Sequence, residues 1–552
     1  MVCNPFRSIT RHSFMTAACI AGLGVSEISS QCNVLPGEIS GKVFLDNNQN
    51  GTKDPSESGV PQVLIRAVDA NGGVAAQTLS AVDGTYTIPG LSNQSIYRLE
   101  MVKPSQLNYG VMGVSGASDI KFISAPACNI YFGLQDLQVP CTPEAAKVFT
   151  TCFVKSGGSD QAPTLVQLPF NFNTGTMPAK LAMQNQTGSV WGLAWNKARQ
   201  ELYSSAFVKY GAALGSGGSG GIYVTQPATQ NTQLFVNLDL FGVHTGPVNG
   251  MDPLDCNYSD WVGKAGLGDM DISDDDRYLF VSNLYNRSLV IIPTDHPSSS
   301  SVYEIKIPDP GCNKGDYVVG AVEYHNGLVY IGVTCTAESS KDNNDSYFHI
   351  YEFNLLSRTF NLIFSSGFAK EYWLSKPANQ RPVSQWLSNI AFVNDNFMVL
   401  GIADRTGHTY CDEVYPLTGE YGDIVMLYKE GNNWLLESGS VAGSRTGSGL
   451  HHYEGPGGGE FFGEDYWTVG PGLHPEVSFG AVTILKDYEQ VISTCFDPVY
   501  ESFSGGLHKY NTLNGKKISS IQLYNKSNSS YGKSAGLGDL AIGCQNIPIE
   551  IG

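Results

Sequence analysis

Charge is scarce in this 552-residue chain: 15% of residues are Asp, Glu, Lys or Arg, and 51 acidic against 33 basic residues leave a formal charge of −18. Such a surface repels phosphate backbones and anionic headgroups, which argues against nucleic acid and anionic membrane as partners. Long apolar runs are missing as well. Apart from a stretch from about Phe14 to Val25, nothing approaches the roughly 18 apolar residues that a membrane-spanning helix needs. No C-x-x-C pair occurs, so zinc ribbons and thioredoxin-like sites are unsupported. H-E-x-x-H is absent, no G-x-S-x-G nucleophile elbow between a strand and a helix appears, and the P-loop-like "YGKS" has Ser527 where the first glycine belongs. "YGAALGSGGSGGIYV" contains no lysine and leads into a strand, which removes it as a phosphate cradle.

Glycine (62 residues) and aromatics (11%) are plentiful, the composition of a turn-rich, β-rich globular protein. Arg7 and Arg11 precede the Phe14–Val25 stretch and small polar residues follow it, the layout of a secretory signal peptide over residues 1–30. Of the 12 cysteines, those outside that segment run from Cys32 to Cys544, a scattered, even set that favours disulfides in a secreted chain. N-x-[ST] sequons begin at Asn50, Asn93, Asn185, Asn257, Asn286, Asn344, Asn525 and Asn528, and glycosylation at Asn50 would compete with the use of that residue described next.

The most informative stretch is "FLDNNQNGTKDPSESG", residues 44–59. Asp46, Asn48, Asn50, Thr52, Asp54 and Glu57 fall at positions 1, 3, 5, 7, 9 and 12 of a loop with Gly51 at position 6. A hard cation taking six to eight oxygens is wrapped by such a ruler: side chains at 1, 3 and 5, a backbone carbonyl at 7, and a bidentate carboxylate at 12. The flanks "GEISGKVFL" and "VPQVLIRAV" are β-branched, so the sequence predicts a Ca2+ loop between strands rather than helices.

Short strand-like runs ("GKVFL", "VLIRAVDA", "AAQTLS", "GTYTIPGL", "YRLEMV", "IKFIS", "NIYFGL") fill residues 37–136 and predict an Ig-like or prealbumin-like β-sandwich. Their order, with the calcium loop and "VDGTY", resembles the B domain of bacterial serine-aspartate-repeat surface proteins. The resemblance implies a calcium-binding sandwich used as a rigid spacer, with Asp46, Asn48, Asn50, Asp54 and Glu57 on the family's calcium loop and Asp83 in a structural turn. There is one B unit, no serine-aspartate repeat and no LPxTG-like tail, which puts covalent wall anchoring in doubt.

Beyond "VPCTPEAAKVF" the pattern becomes a long-period repeat over residues 142–546. "SVWGLAWNKARQELYSSAF", "GLGDMDISDDDRYLFVSNL", "VVGAVEYHNGLVYIGVTC", "LSNIAFVNDNFMVLGIAD" and "FGAVTILKDYEQVISTCFD" each read strand, polar turn, strand, and "AGLGDLAIGC" supplies only a first strand. This is the signature of β-propeller blades. Six copies predict six blades, with room for a seventh between residues 388 and 480. The truncated copy predicts that "KVFTTCFVK" and "TLVQLPFNF" complete the last blade, removing exposed edges. A Cys152–Cys544 bridge would lock that closure; a local Cys141–Cys152 pair or buried thiols are the alternatives. Sandwich and propeller together resemble large secreted bacterial proteins with SdrD B-like domains and no assigned activity.

Two polar loops stand out. "SRTGSGLHHYEGPGGGEFFGEDYWTVGPGLHPEVSFG" holds His451, His452, Glu454, Glu460, Glu464, Asp465 and His474, and "GIADRTGHTYCDEVYP" holds Asp404, Arg405, His408, Asp412 and Glu413. Of these, Asp404, Arg405, His408, His451, His452 and Glu464 are the candidate ligand-binding residues, on the expectation that they meet at one mouth of the channel. No catalytic constellation reaches motif strength. The sequence therefore points to a secreted or cell-surface calcium-binding structural or adhesive protein, the sandwich a spacer and the propeller a head for an extracellular protein, matrix or glycan ligand. The alternative is a secreted hydrolase or lyase acting on an extracellular polymer, with acid and base drawn from residues 404–413 and 451–474.

Overall fold

A computed structural model describes residues 34–544 except 47–50, 54–56, 58, 103–108, 112–117, 137–140, 157, 198, 275, 369–384, 410, 412–421, 450–459, 470–471, 475, 486–487, 527–530 and 533–534. The expected signal peptide lies outside the described residues. Among those described, no helix is long and apolar enough to cross a membrane.

Alternation builds the first unit. Along Ile96–Val102, Tyr97, Leu99 and Met101 are buried, while Arg98 and Glu100 between them pair at 2.7 Å on the opposite face. Eight strands with this period form two four-stranded sheets. One runs Thr85–Ile88, Ile39–Leu45, Ala127–Asp136, Tyr109–Val111; the other runs Val74–Leu79, Leu64–Val68, Ile96–Val102, Ile120–Ser124. Their inner faces share one core that includes Val43, Ile65, Leu99 and Phe132. The Asp83 carboxylate accepts from the Thr85 N–H and hydroxyl, closing the "VDGTY" turn, and these bonds hold its pKa below the usual range.

The second unit is all β as well: six four-stranded sheets, each inner strand touching the next and the last touching the first. The inner strands are Val190–Asn196, Leu267–Ile272, Tyr317–His325, Gln385–Asn394, Ser478–Leu485 and Leu537–Cys544, here the inner strands of blades 1 to 6. They lie between neighbours on both sides, and "VWGLAWN" is buried at every position. Adjacent blades are fastened by hydroxyls. From second strands Ser205 donates to the Gly268 carbonyl (2.8 Å) and Ser282 to Gly320 (2.8 Å), and from the inner strand of blade 4 Ser388 donates to Gly480 (2.7 Å).

Closure occurs by strand sharing. Leu537–Cys544 pairs antiparallel with Ala146–Cys152, and Pro163–Pro169 and Ala179–Met183 finish that blade. The interval from 388 to 480 holds no seventh blade among the described residues; it adds two hairpins, Val441–Ala442 with Arg445–Thr446 and Trp467–Val469 with Gly472–His474.

Of the alternatives for Cys152, neither the Cys544 bridge nor the Cys141 pair forms, and it is a free thiol. In the antiparallel register Cys152 faces Leu537, whereas Cys544 faces Ala146 at the other end of the strand. Cys544 instead bonds Cys141, with Cα atoms 5.6 Å apart, and Cys495 is a free thiol too. Cys256–Cys411 and Cys312–Cys335 are the other described pairs, and Cys128 is also disulfide-bonded.

Candidate functional site

The sandwich loop keeps the acidic ends of its ruler inside. Asp46 is 1% exposed and Glu57 5%, although both are carboxylates on a connection between strands. Gly51, at φ 71°, takes the left-handed turn that position 6 demands, and its N–H donates to Asp46 Oδ2 at 2.8 Å. Thr52 is exposed. Asn48, Asn50 and Asp54 lie outside the described residues. Buried acids at positions 1 and 12, with a left-handed glycine between them, fit a hard cation that takes oxygen ligands.

At one end of the propeller channel Asp404, Arg405 and His408 do come together, but as a packed group. Asp404 Oδ1 accepts from the Thr406 N–H at 2.9 Å. Arg405 is buried in an ion pair with Glu338, whose other oxygen takes Lys264 at 2.5 Å. The His408 ring sits edge-on to Phe153, Trp191 and Phe207, with Nδ1 3.4 Å from Lys209 Nζ. Lys209 also donates to the Gly407 carbonyl at 2.8 Å and rests over the Tyr531 ring. Burial, then the Lys209 charge, pulls the His408 pKa well below its usual value, and burial pulls Lys209 down as well. Glu464 keeps different company, accepting from the Lys517 N–H at 2.9 Å. His451 and His452 lie outside the described residues.

A site that the sequence reading missed lies on the channel axis. The inner strands bulge between Val190 and Leu193, between Val319 and Val322, and between Ser478 and Val482, which frees an N–H in each of blades 1, 3 and 5. Each is taken by a polar side chain from the preceding blade: Leu193 N by Asp539 (2.8 Å), Val322 N by Asp269 (2.9 Å) and Val482 N by Asn389 (3.3 Å). Asn389 Nδ2 then donates to both carboxylates, at 2.7 Å to Asp539 and 3.3 Å to Asp269. Burial, backed for Asp269 by the Asp539 charge, raises both carboxyls, that of Asp539 to about 7, so the pair holds a proton near neutral pH. Chemically the cluster ties alternate blades together and stores a proton. It opens on a cavity of about 190 Å3 whose lining includes Asp271, Asp274, Glu323 and Lys197. The signal for it was the repeated "GLGD" at 266–269 and 536–539.

The SdrD B-like domain family matches residues 37–122. Colossin-A of Dictyostelium discoideum is 26% identical over 93% of this chain and 5% of its own length. Colossin-C of the same organism is 25% identical over 91% of this chain and 54% of its own, and colossin-D is 24% identical over 93% and 59%. The chain thus spans little more than half of colossin-C and colossin-D and a small part of colossin-A. Residues 37–122 are an SdrD B-like domain, and the chain that carries it is similar to the colossins through sandwich and propeller alike.

Proposed function

We propose that the chain is a secreted or cell-surface calcium-binding structural or adhesive protein. The sandwich, residues 37–136, is its rigid spacer, and the propeller, residues 142–546, is the head that binds an extracellular protein, matrix or glycan. The observation that carries this reading is the loop of the SdrD B-like domain that buries Asp46 and Glu57 around a left-handed Gly51. Asn48, Asn50, Thr52 and Asp54 would complete the shell. With the ion bound, two strand ends are fixed to one point; without it, the carboxylates repel and the loop loosens. In the head, ligand contact is assigned to the segment bearing His451, His452 and Glu464. Asp404, Arg405 and His408 would stiffen the channel wall through the Arg405–Glu338 ion pair and the aromatic packing of His408.

Because calcium binds only the folded loop, it stabilises by mass action. A chelator is expected to lower the sandwich's calorimetric transition in the full chain by several degrees or more, and Glu57→Gln to remove the response of that transition to calcium. Identical wild-type melts with and without chelator would overturn the reading.

A further inference from the structure

Three carboxylates meet at the seam of blades 4 and 5, far along the chain from the sandwich. Asp423 opens strand Asp423–Glu430, the third of blade 4; Asp465 follows the buried Phe461 and Phe462; Glu476 stands just before the inner strand Ser478–Leu485 of blade 5. One carboxylate oxygen from each lies within 4.8 Å of the other two. All are enclosed, with Glu476 1% and Asp465 2% exposed. Glu460 and Glu437 add to the negative field: Glu460 and Asp423 both bear on Glu476, and Asp423 and Asp465 on Glu437.

What separates this cluster from the channel pair is the environment of Glu476 and Asp465. Glu437 is served by the N–H groups of Met426 (3.1 Å) and Phe461 (3.3 Å) and so holds the chain in place. Neither oxygen of Glu476 accepts a hydrogen bond from the described residues, nor does Asp465 Oδ2. The side chain that Glu476 does meet is another acid, Asp465, with which it shares a hydrogen bond. Lys517 influences Asp465, yet its ammonium group donates to the Glu464 carbonyl at 2.6 Å. A buried carboxylate without donors is unfavourable unless it is neutralised, and several facing one another need a cation or shared protons.

We propose that Asp423, Asp465 and Glu476 form a calcium site inside the propeller, distinct from the sandwich loop. An all-carboxylate donor set is hard, which selects calcium or magnesium over metals that seek nitrogen or sulfur. Magnesium keeps several waters and requires an octahedron, whereas calcium accepts irregular shells of protein oxygens, as suits an enclosed pocket. The ion would join the third strand of blade 4 to the entry of blade 5 and fix the long insertion between them. Asp465 lies one residue from Glu464, so the ion would also set the base of the segment to which ligand contact is assigned above.

The test is calcium stoichiometry by equilibrium dialysis on the metal-depleted full chain, comparing each variant with its parent. Glu476→Gln, nearly isosteric, is expected to lose one equivalent from the wild type and one from the Glu57→Gln chain. The drop is read against the parent, so it stands whether or not the sandwich loop binds. Should Glu476→Gln fail to fold, Asp465→Asn is read in the same way, and the Glu57→Gln chain is expected to melt higher with calcium than without. Unchanged stoichiometry in Glu476→Gln or Asp465→Asn overturns the site. So does a variant that is more stable than its parent and indifferent to calcium, the result for acids that share protons.

Discussion

Asp269 and Asp539 are acids that the propeller keeps partly protonated, and that has a definite sign in stability. Both pKa values lie above those of the unfolded chain, so the native state binds the extra proton between the ordinary carboxylate range and about 7. Stability from this pair is fully present below the unfolded value and is lost as pH rises through the folded one, levelling off above it. Urea denaturation of the propeller between about pH 4 and 8 is expected to show that fall. Asp539→Asn should flatten it. The slope is the readout, because an amide at position 539 also turns a donor toward Asn389 or a backbone N–H and lowers stability at every pH. An identical slope in the variant would place the titrating group elsewhere. None of this was legible locally: "GLGD" was visible twice as a repeat, but its aspartates become a pair only when a closed ring brings residues 269, 389 and 539 to one axis.

Strands and blades were far more legible than side-chain roles, for a physical reason. A propeller blade repeats because every inner strand meets the same environment, so apolar runs such as "VWGLAWN" and "FGAVTIL" recur and can be counted. The closing blade was legible from what its copy lacked, since a strand without partners leaves an edge that the chain's start can fill. Disulfide pairing was not, because two cysteines on neighbouring antiparallel strands can sit at opposite ends of the ladder, as Cys152 and Cys544 do. Asp404, Arg405 and His408 drew attention as polar residues after a strand, but sequence carries no sign of the Glu338 and Lys209 partners that enclose them. Likewise the second-strand hydroxyls looked like ordinary strand residues, yet each closes a gap between sheets. Ser282→Ala removes a fully buried donor from the Gly320 carbonyl and is expected to cost about 1–3 kcal/mol. Ser300→Ala, on an exposed turn, should change stability by less than about 0.5 kcal/mol. Equal denaturation midpoints for the two variants would mean that the hydroxyls do not fasten the blades.

At the scale of the whole molecule two devices hold the ring shut, and they are separable. The Cys141–Cys544 bridge spans 403 residues. Chain-entropy arguments give about 4.7 kcal/mol for a loop of 100 residues and slightly more beyond, although real bridges often deliver less. The shared strand contributes differently: Leu537–Cys544 covers the edge of Ala146–Cys152 and buries Leu537 and Leu540 among Val148, Phe479 and Phe496. Without it, the edge of Ala146–Cys152 is bare and a slice of core is open to water. Cys544→Ser is therefore expected to lower the melting temperature by several degrees while the protein stays monomeric, because the strand remains paired. Truncation before Leu537 removes strand and bridge together, and should give a protein that aggregates or is cut rapidly by protease at its opened seam. Light scattering and limited proteolysis on the two proteins decide the matter. If the truncated chain stays monomeric and melts cooperatively near the Cys544→Ser temperature, the bridge rather than the strand is what closes the ring.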